Sequence, residues 1–265
     1  MDATNTAISL FQFALSTFGR IQLAREFRED FEAHQLKLDI IQLRLSRWGE
    51  VVDITTLDTR CPSANELESA GREPKYDLAS IKQTLSDVRD LCNKACRQAS
   101  RIGKGLDAKT QEITPESCVP SDLEKLRFWL KECLRKRRAQ ASRTVQGVKW
   151  AFYKKENFEN FIANLTALID ALEKIMPEVD REKLRQLSEE ESNGIDKSDT
   201  EELKDVIQGC DPWLERSLDT KLNAGGAGTI INQSRNTGST VGIHRGNNYG
   251  VSNGTNSSQT NTFKP

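Results

Sequence analysis

Histidine occurs only twice in 265 residues, at His34 and His244, far apart in the chain. That scarcity argues against histidine acid–base catalysis and against a His-rich metal motif. There is no glycine loop for phosphates and no nucleophile elbow, and the abundant carboxylates are spaced as helix surface. Nothing in the chain argues for an enzyme or for a cofactor. A net charge of −1 gives no drive towards nucleic acid. Long apolar runs are missing as well. The most apolar stretch, AISLFQFALSTFGRIQLA at 7–24, is interrupted by Gln12, Arg20 and Gln22 and is too short and polar for a plain transmembrane span. Six cysteines are scattered at 61, 92, 96, 118, 133 and 210. Cys92 and Cys96 have i, i+4 spacing and read either as a shared metal site or as small buried hydrophobes. With no basic, cleavable leader, a reducing cytoplasmic compartment is the expectation.

The most telling absence is local. Residues 223–265 hold no Asp or Glu, although the chain has 39 of them, and they hold eight of its sixteen glycines. Three tail cations, Arg235, Arg245 and Lys264, against a chain total of −1 leave residues 1–222 at −4. The chain thus divides into a body, 1–222, and a Gly/Asn-rich tail, 223–265.

The body reads as helices. Segment 7–24 is expected to be an apolar helix. It is either a buried core helix or one that packs at rest and enters a bilayer on activation, through Ile8, Leu10, Phe11, Phe13, Leu15, Phe18 and Ile21. A second helix over 26–54 buries Phe27, Phe31, Leu38, Ile41, Leu45, Trp48 and Val52. Arg44 and Arg47 beside that face are read as snorkelling or paired with acids. A polar connection over 55–76 follows. Leu78, Ile81, Leu85, Val88 and Leu91 mark a helix over 77–102. Ser121 and Glu124 form a capping box for the next helix, whose end carries Lys136, Arg137 and Arg138, with Arg143 beyond. Those cations suit phosphate, anionic lipid or an acidic partner, or are a solvated helix end. Trp150 to Tyr153 is an aromatic core cluster. The cleanest helix, 156–176, repeats Phe158, Phe161, Leu165, Leu168, Leu172 and Ile175 and ends at Pro177. Helices at 178–191 and 199–208, the latter with a Ser198–Glu201 box, and a last turn from Pro212 to Leu222 complete the body. No segment before 222 alternates as a strand should, so the body is an all-α bundle.

The tail cannot build a core alone and reads by default as disordered. Yet Thr229-Ile230-Ile231 and Thr240-Val241-Gly242-Ile243 are short strand signals closed by Asn and Gly turns. Ile231, Asn236 and Gly238 recur twelve residues on as Ile243, Asn248 and Gly250. In a stack of identical chains Asn would ladder and β-branched residues would pack dry, which makes the tail amyloid-competent in composition.

Two stretches of the body carry a family resemblance. Leu38-Asp39-Ile40 with Arg44-Leu45-Ser46-Arg47-Trp48-Gly49-Glu50-Val51-Val52, and Trp150 to Tyr153 through Leu172-Glu173-Lys174-Ile175-Met176-Pro177, resemble the fungal HeLo domain of the HET-s/HET-S heterokaryon-incompatibility and LopB-like proteins. The resemblance covers roughly 1–220, and Arg44 to Glu50 is its specific part. It implies a HeLo-like helical bundle followed by a disordered, prion-forming tail. It also implies an effector of programmed cell death whose tail is templated into amyloid by copies of itself or by a NOD-like receptor. The N-terminal helix is then released to damage a membrane, with the protein cytoplasmic at rest and at the plasma membrane when active. Self-association of the helical domain is implied too. Gly246-Asn247-Asn248-Tyr249-Gly250 looks like the close of the family's amyloid repeat, and with Ile230, Ile231, Asn236, Gly238, Val241 and Ile243 it marks the expected amyloid core. The tail departs from the family pattern in holding one clear unit, shorter and nearly uncharged. An inhibitory or scaffold relative and a plain helical interaction module with an inert tail are the alternatives.

Overall fold

The computed structural model describes residues 6–27, 30–60, 75–103, 121–137, 149–224, 240–243 and 249–252. They fall into two compact units, 1–218 and 219–265.

Helix α1, Ala7–Phe18, starts where the Thr6 hydroxyl accepts from the Ser9 amide at 3.2 Å and stops at Gly19. The expected helix to residue 24 is therefore six residues too long. The chain turns at Gly19–Arg20 and enters a strand, β1, Ile21–Leu23, followed by a 3-10 turn at Arg25–Phe27. β1 pairs in parallel with β2, Trp150–Phe152, placing Ile21 opposite Trp150 and Leu23 opposite Phe152. Amide-to-carbonyl bonds from Trp150 to Arg20 (3.0 Å) and from Ala24 to Phe152 (2.9 Å) extend the pair at both ends. The expectation of no strand in the body is thereby corrected. Each strand has three residues, too few for alternation to be visible, and β2 is buried at every position.

Helix α2, Phe31–Val51, starts five residues later than expected, after that 3-10 turn. It is the axis of the bundle, packed against α1 and five helices that follow it in the chain. After it, Asp53 takes a left-handed φ of 52°. Its carboxylate accepts from the Thr55 and Thr56 hydroxyls at 2.8 Å each. This local turn launches α3, Ile54–Arg60, inside the stretch expected to be a loop.

Helix α4, Leu78–Gly103, buries Ile81, Leu85, Val88, Cys92, Ala95 and Ala99 at three- and four-residue intervals and lies against α1, β2 and the helix that follows β2. Helices α5, Ser121–Lys136, α6, Lys155–Ile175, and α7, Glu178–Asn193, follow. Helix α8, Lys197–Ile207, is preceded by Asp196. Ser198 lies inside it with its hydroxyl on Asp199, so it does not cap the helix as the Ser198–Glu201 box suggested. The Ser121 side chain lies outside what is described. Helix α9, Pro212–Ala224, is capped by Asp211, which accepts from the Trp213 and Leu214 amides at 3.2 Å.

In the second unit, β3, Thr240–Ile243, and β4, Tyr249–Ser252, pair antiparallel, with Val241 opposite Val251 and Ile243 opposite Tyr249. β3 is one of the strand signals read from the sequence, whereas Tyr249 and Gly250, read as part of a closing turn, open β4. The Thr229–Ile231 signal, Asn236, Gly238 and Gly246 to Asn248 lie outside the described residues.

Candidate functional site: the seat of the N-terminal helix

No residue of α1 is exposed. Leu10, Phe11, Leu15 and Phe18 are buried, Ile8 and Phe13 are half-buried, and Ile21 belongs to β1. The helix carries no charge. Burying four large apolar side chains contributes on the order of 6–12 kcal/mol, as an upper estimate. That is comparable to the whole stability of a typical domain, about 5–15 kcal/mol. Withdrawing α1 is therefore tied to opening the bundle and is no local fluctuation.

Within the stretch Arg44 to Glu50, Trp48 and Gly49 meet Phe11 of α1. Gly49 faces Phe11: a Cβ there would lie 2.3 Å from the Phe11 Cζ. The ring fits because the glycine has no side chain, which explains a glycine in the last turn of an otherwise well-formed helix, where it costs about 1 kcal/mol against alanine. Trp48 lies 6.1 Å from Phe11 between ring centroids and donates its indole N–H to the Leu172 carbonyl at 3.2 Å. Leu45 and Ser46 are fully buried.

Arg44 and Arg47 do not snorkel. Both are buried at about 1% exposure or less. Arg44 forks onto Glu173 at 2.9 and 2.7 Å, donates to the Cys210 carbonyl at 3.0 Å and reaches Asp170. Arg47 donates to both Asp211 oxygens at 3.2 and 2.9 Å and to Glu191. Glu173 also accepts from the Trp213 indole at 2.9 Å. Arg137, read from sequence as one of a group of surface cations, is buried between Glu191 and Glu50. Arg138 and Arg143 lie outside the described residues. Burial opposes charge on Arg44 and Arg47, yet the surrounding carboxylates outweigh it and hold both guanidinium groups more firmly protonated than usual. Burial likewise pushes the Asp211 carboxyl up, but Arg47 and, more weakly, Arg44 leave it below the usual range. The network ties α2 to α5, α6, α7 and the first turn of α9.

Asp211 sets an expected acid response. A carboxyl lowered on folding stabilises the native state above its unfolded value and ceases to do so as pH falls through the folded value. The contribution should be intact at neutral pH and be lost progressively from about pH 5 downward. Urea midpoints measured from pH 7 to pH 3 check this, with the decline attenuated in Asp211→Asn.

The described cysteines, Cys92, Cys96, Cys133 and Cys210, are free. Burial pushes the Cys92 thiol up to about 12 and Cys210 to about 11. Both should react with a thiol reagent only as the bundle unfolds, as stopped-flow absorbance would record. Among the described residues no group of three or more His, Cys, Asp or Glu is placed to hold a metal. No described helix is long and apolar enough to cross a membrane. Helix α1, with twelve residues, is about 18 Å long.

A family model described as HeLo, prion-inhibition and propagation, matches residues 3–206. The chain belongs to the HeLo family. Heterokaryon incompatibility protein S of Podospora anserina is 29% identical over 216 residues, covering 81% of this chain and 71% of that protein. Heterokaryon incompatibility protein s of the same fungus is 29% identical over 223 residues, with 84% and 73% covered. The solved HET-s N-terminal domain superposes on this HeLo chain with a TM-score of 0.72 at 25% identity, covering 84% of this chain and 99% of that one. A mutant of that domain also gives 0.72, at 23% identity.

Proposed function

We propose that this HeLo protein is a fungal cell-death effector in which assembly of the tail opens the bundle and frees the N-terminal segment for a membrane. The homology supports a cell-death-related role, and the relatives carry heterokaryon incompatibility in their names. The observation that carries the finer reading is the charge-free α1, none of whose residues is exposed, seated over Gly49. In this reading residues 229–251 are converted to amyloid by a seed, either a copy of the chain or a templating NOD-like receptor. The protein rests in the cytoplasm and acts at the plasma membrane, without catalysing a reaction. A bilayer core of about 30 Å needs some 20 helical residues. The released segment must then extend through 19–24, giving up β1 and carrying Arg20 with it, a cost that a pore of several copies would reduce.

Full-length protein seeded with tail fibrils should leak dye from anionic liposomes, and deletion of residues 2–24 should abolish leakage. Seeded protein that leaves liposomes intact would sink the membrane step. The shortness of α1, twelve residues that stop at Phe18, favours one rival, a scaffold or inhibitory HeLo protein whose tail assembles without membrane damage. Unchanged toxicity on replacing Phe11, Phe13 and Phe18 by Ser would decide for it.

A further inference from the structure

The last three turns of α4 carry three cations and no acid: Lys94, Arg97 and Arg101. Their i, i+3, i+7 spacing puts them on one face, and all three are exposed. Among the described residues none has a carboxylate partner, whereas most buried cations of this bundle sit in ion pairs. The nearest acid on the same face, Asp90, is engaged by Arg89 at 3.3 Å. Beside this strip runs a groove of about 210 Å³ between α4 and α6. Its floor is Leu91, Ala95 and Phe161, and its walls are Lys94, Gln98, Asn157, Asn160 and Asn164, with no acid among them. The Asn164 amide donates to the Asn160 carbonyl at 2.6 Å, which orients one wall. On α6, Glu156 is exposed in the first turn, and Glu159 faces His34 and Lys37 of α2. Lys154, directly before α6, is also exposed.

We infer that this face of the resting bundle docks on anionic phospholipid headgroups, with Lys94, Arg97 and Arg101 as the electrostatic contact and the amide-walled groove receiving a headgroup phosphate. Amide N–H and ammonium donors around a shallow, acid-free groove suit a phosphate diester. A protein partner would need an apolar anchor. The exposed large hydrophobic residues among those described are Phe128 and Val179, and neither lies on α4 or in the groove. Helix α4 also packs directly on α1, so reversible docking of the cytoplasmic protein here would bring that segment near a bilayer before any release. The inference concerns the unseeded protein and does not depend on α1 ever leaving its seat.

The test is flotation of unseeded full-length protein with phosphatidylcholine vesicles, with and without phosphatidylserine. Binding is expected only with phosphatidylserine and should fall steeply with added salt. The triple variant Lys94→Gln, Arg97→Gln, Arg101→Gln should weaken partition on the order of 100-fold, from the usual worth of each basic residue at an anionic surface. A control triple on α5, Lys125→Gln, Lys131→Gln, Arg135→Gln, removes the same charge from another face and should leave binding unchanged. Asn160→Asp, which puts an acid in the groove, should also weaken it. All of these positions are exposed, and circular dichroism verifies that each variant is folded. Equal binding by the two triples overturns the inference, as does equal binding to neutral vesicles. Complete displacement by inorganic phosphate would instead make this a free-anion site. Retention on immobilised polyglutamate with no vesicle binding would make it a site for an acidic polypeptide. Leakage from seeded protein is scored separately, so failure of the membrane step and failure of this docking are distinguishable.

Discussion

Arg47→Met is expected to lower the unfolding free energy by about 3–5 kcal/mol, because it leaves Asp211 buried without its paired guanidinium and Glu191 held by Arg137 alone. Against a typical total of about 5–15 kcal/mol, that is a large share of the margin. The size comes from uncompensated charge and not from lost packing, since methionine fills much of the same volume. Two consequences separate these causes. Combining Arg47→Met with Asp211→Asn should destabilise less than the two single changes together, because one stranded charge is removed. The single variant should also recover partially on acidification, as the stranded carboxyl takes up a proton. Urea unfolding of the four proteins at pH 7 and pH 5 measures both. Additive losses with no pH response would mean that the network is ordinary packing.

The second large effect concerns Phe11 and Gly49. Phe11→Ala should cost about 3–5 kcal/mol, the usual penalty for emptying a buried aromatic site. Gly49→Ala alone forces a methyl group into the Phe11 ring, an overpacking cost of about 1–3 kcal/mol against a propensity gain of about 1 kcal/mol. In the Phe11→Ala background the ring is gone and only the propensity gain remains. Gly49→Ala should then stabilise by up to about 1 kcal/mol. This change of sign is difficult to obtain from anything other than direct contact between α1 and the glycine. The same Gly49→Ala substitution in the otherwise native chain should raise spontaneous leakage, since it loosens the seat without touching the tail.

The helices were legible where burial repeats along one face. Leu85, Val88 and Cys92 on α4, and Phe158, Phe161 and Leu165 on α6, are spaced so that a helix is the economical reading. The buried arginines were less legible. Arg44 and Arg47 are in a helix buried nearly all round, and their carboxylates, Glu173, Glu191 and Asp211, stand more than a hundred residues away in sequence. Pairing with acids was one of the two readings their neighbourhood allowed, but full burial depends on contacts that no local pattern encodes. Arg137 at a helix end looks like any solvated cation until Glu50 and Glu191 close around it. The β1–β2 pair was hidden for a different reason: three residues cannot display a two-residue period, and the partner strand lies more than a hundred residues downstream. One further signal is present in the sequence. Gly49 stands near the end of an apolar helix, where glycine is a local liability, and such a position usually marks close packing by another element.

The most direct test of the account is backbone hydrogen exchange in α1, measured with and without fibril seeds of residues 223–265 and in the absence of lipid. In unseeded protein the Leu10–Phe18 amides should exchange only with global unfolding, at the same opening free energy as the centre of α2. After seeding they should lose that protection as the fibrils form. Fibrils that grow to completion while α1 keeps its native protection would contradict the account.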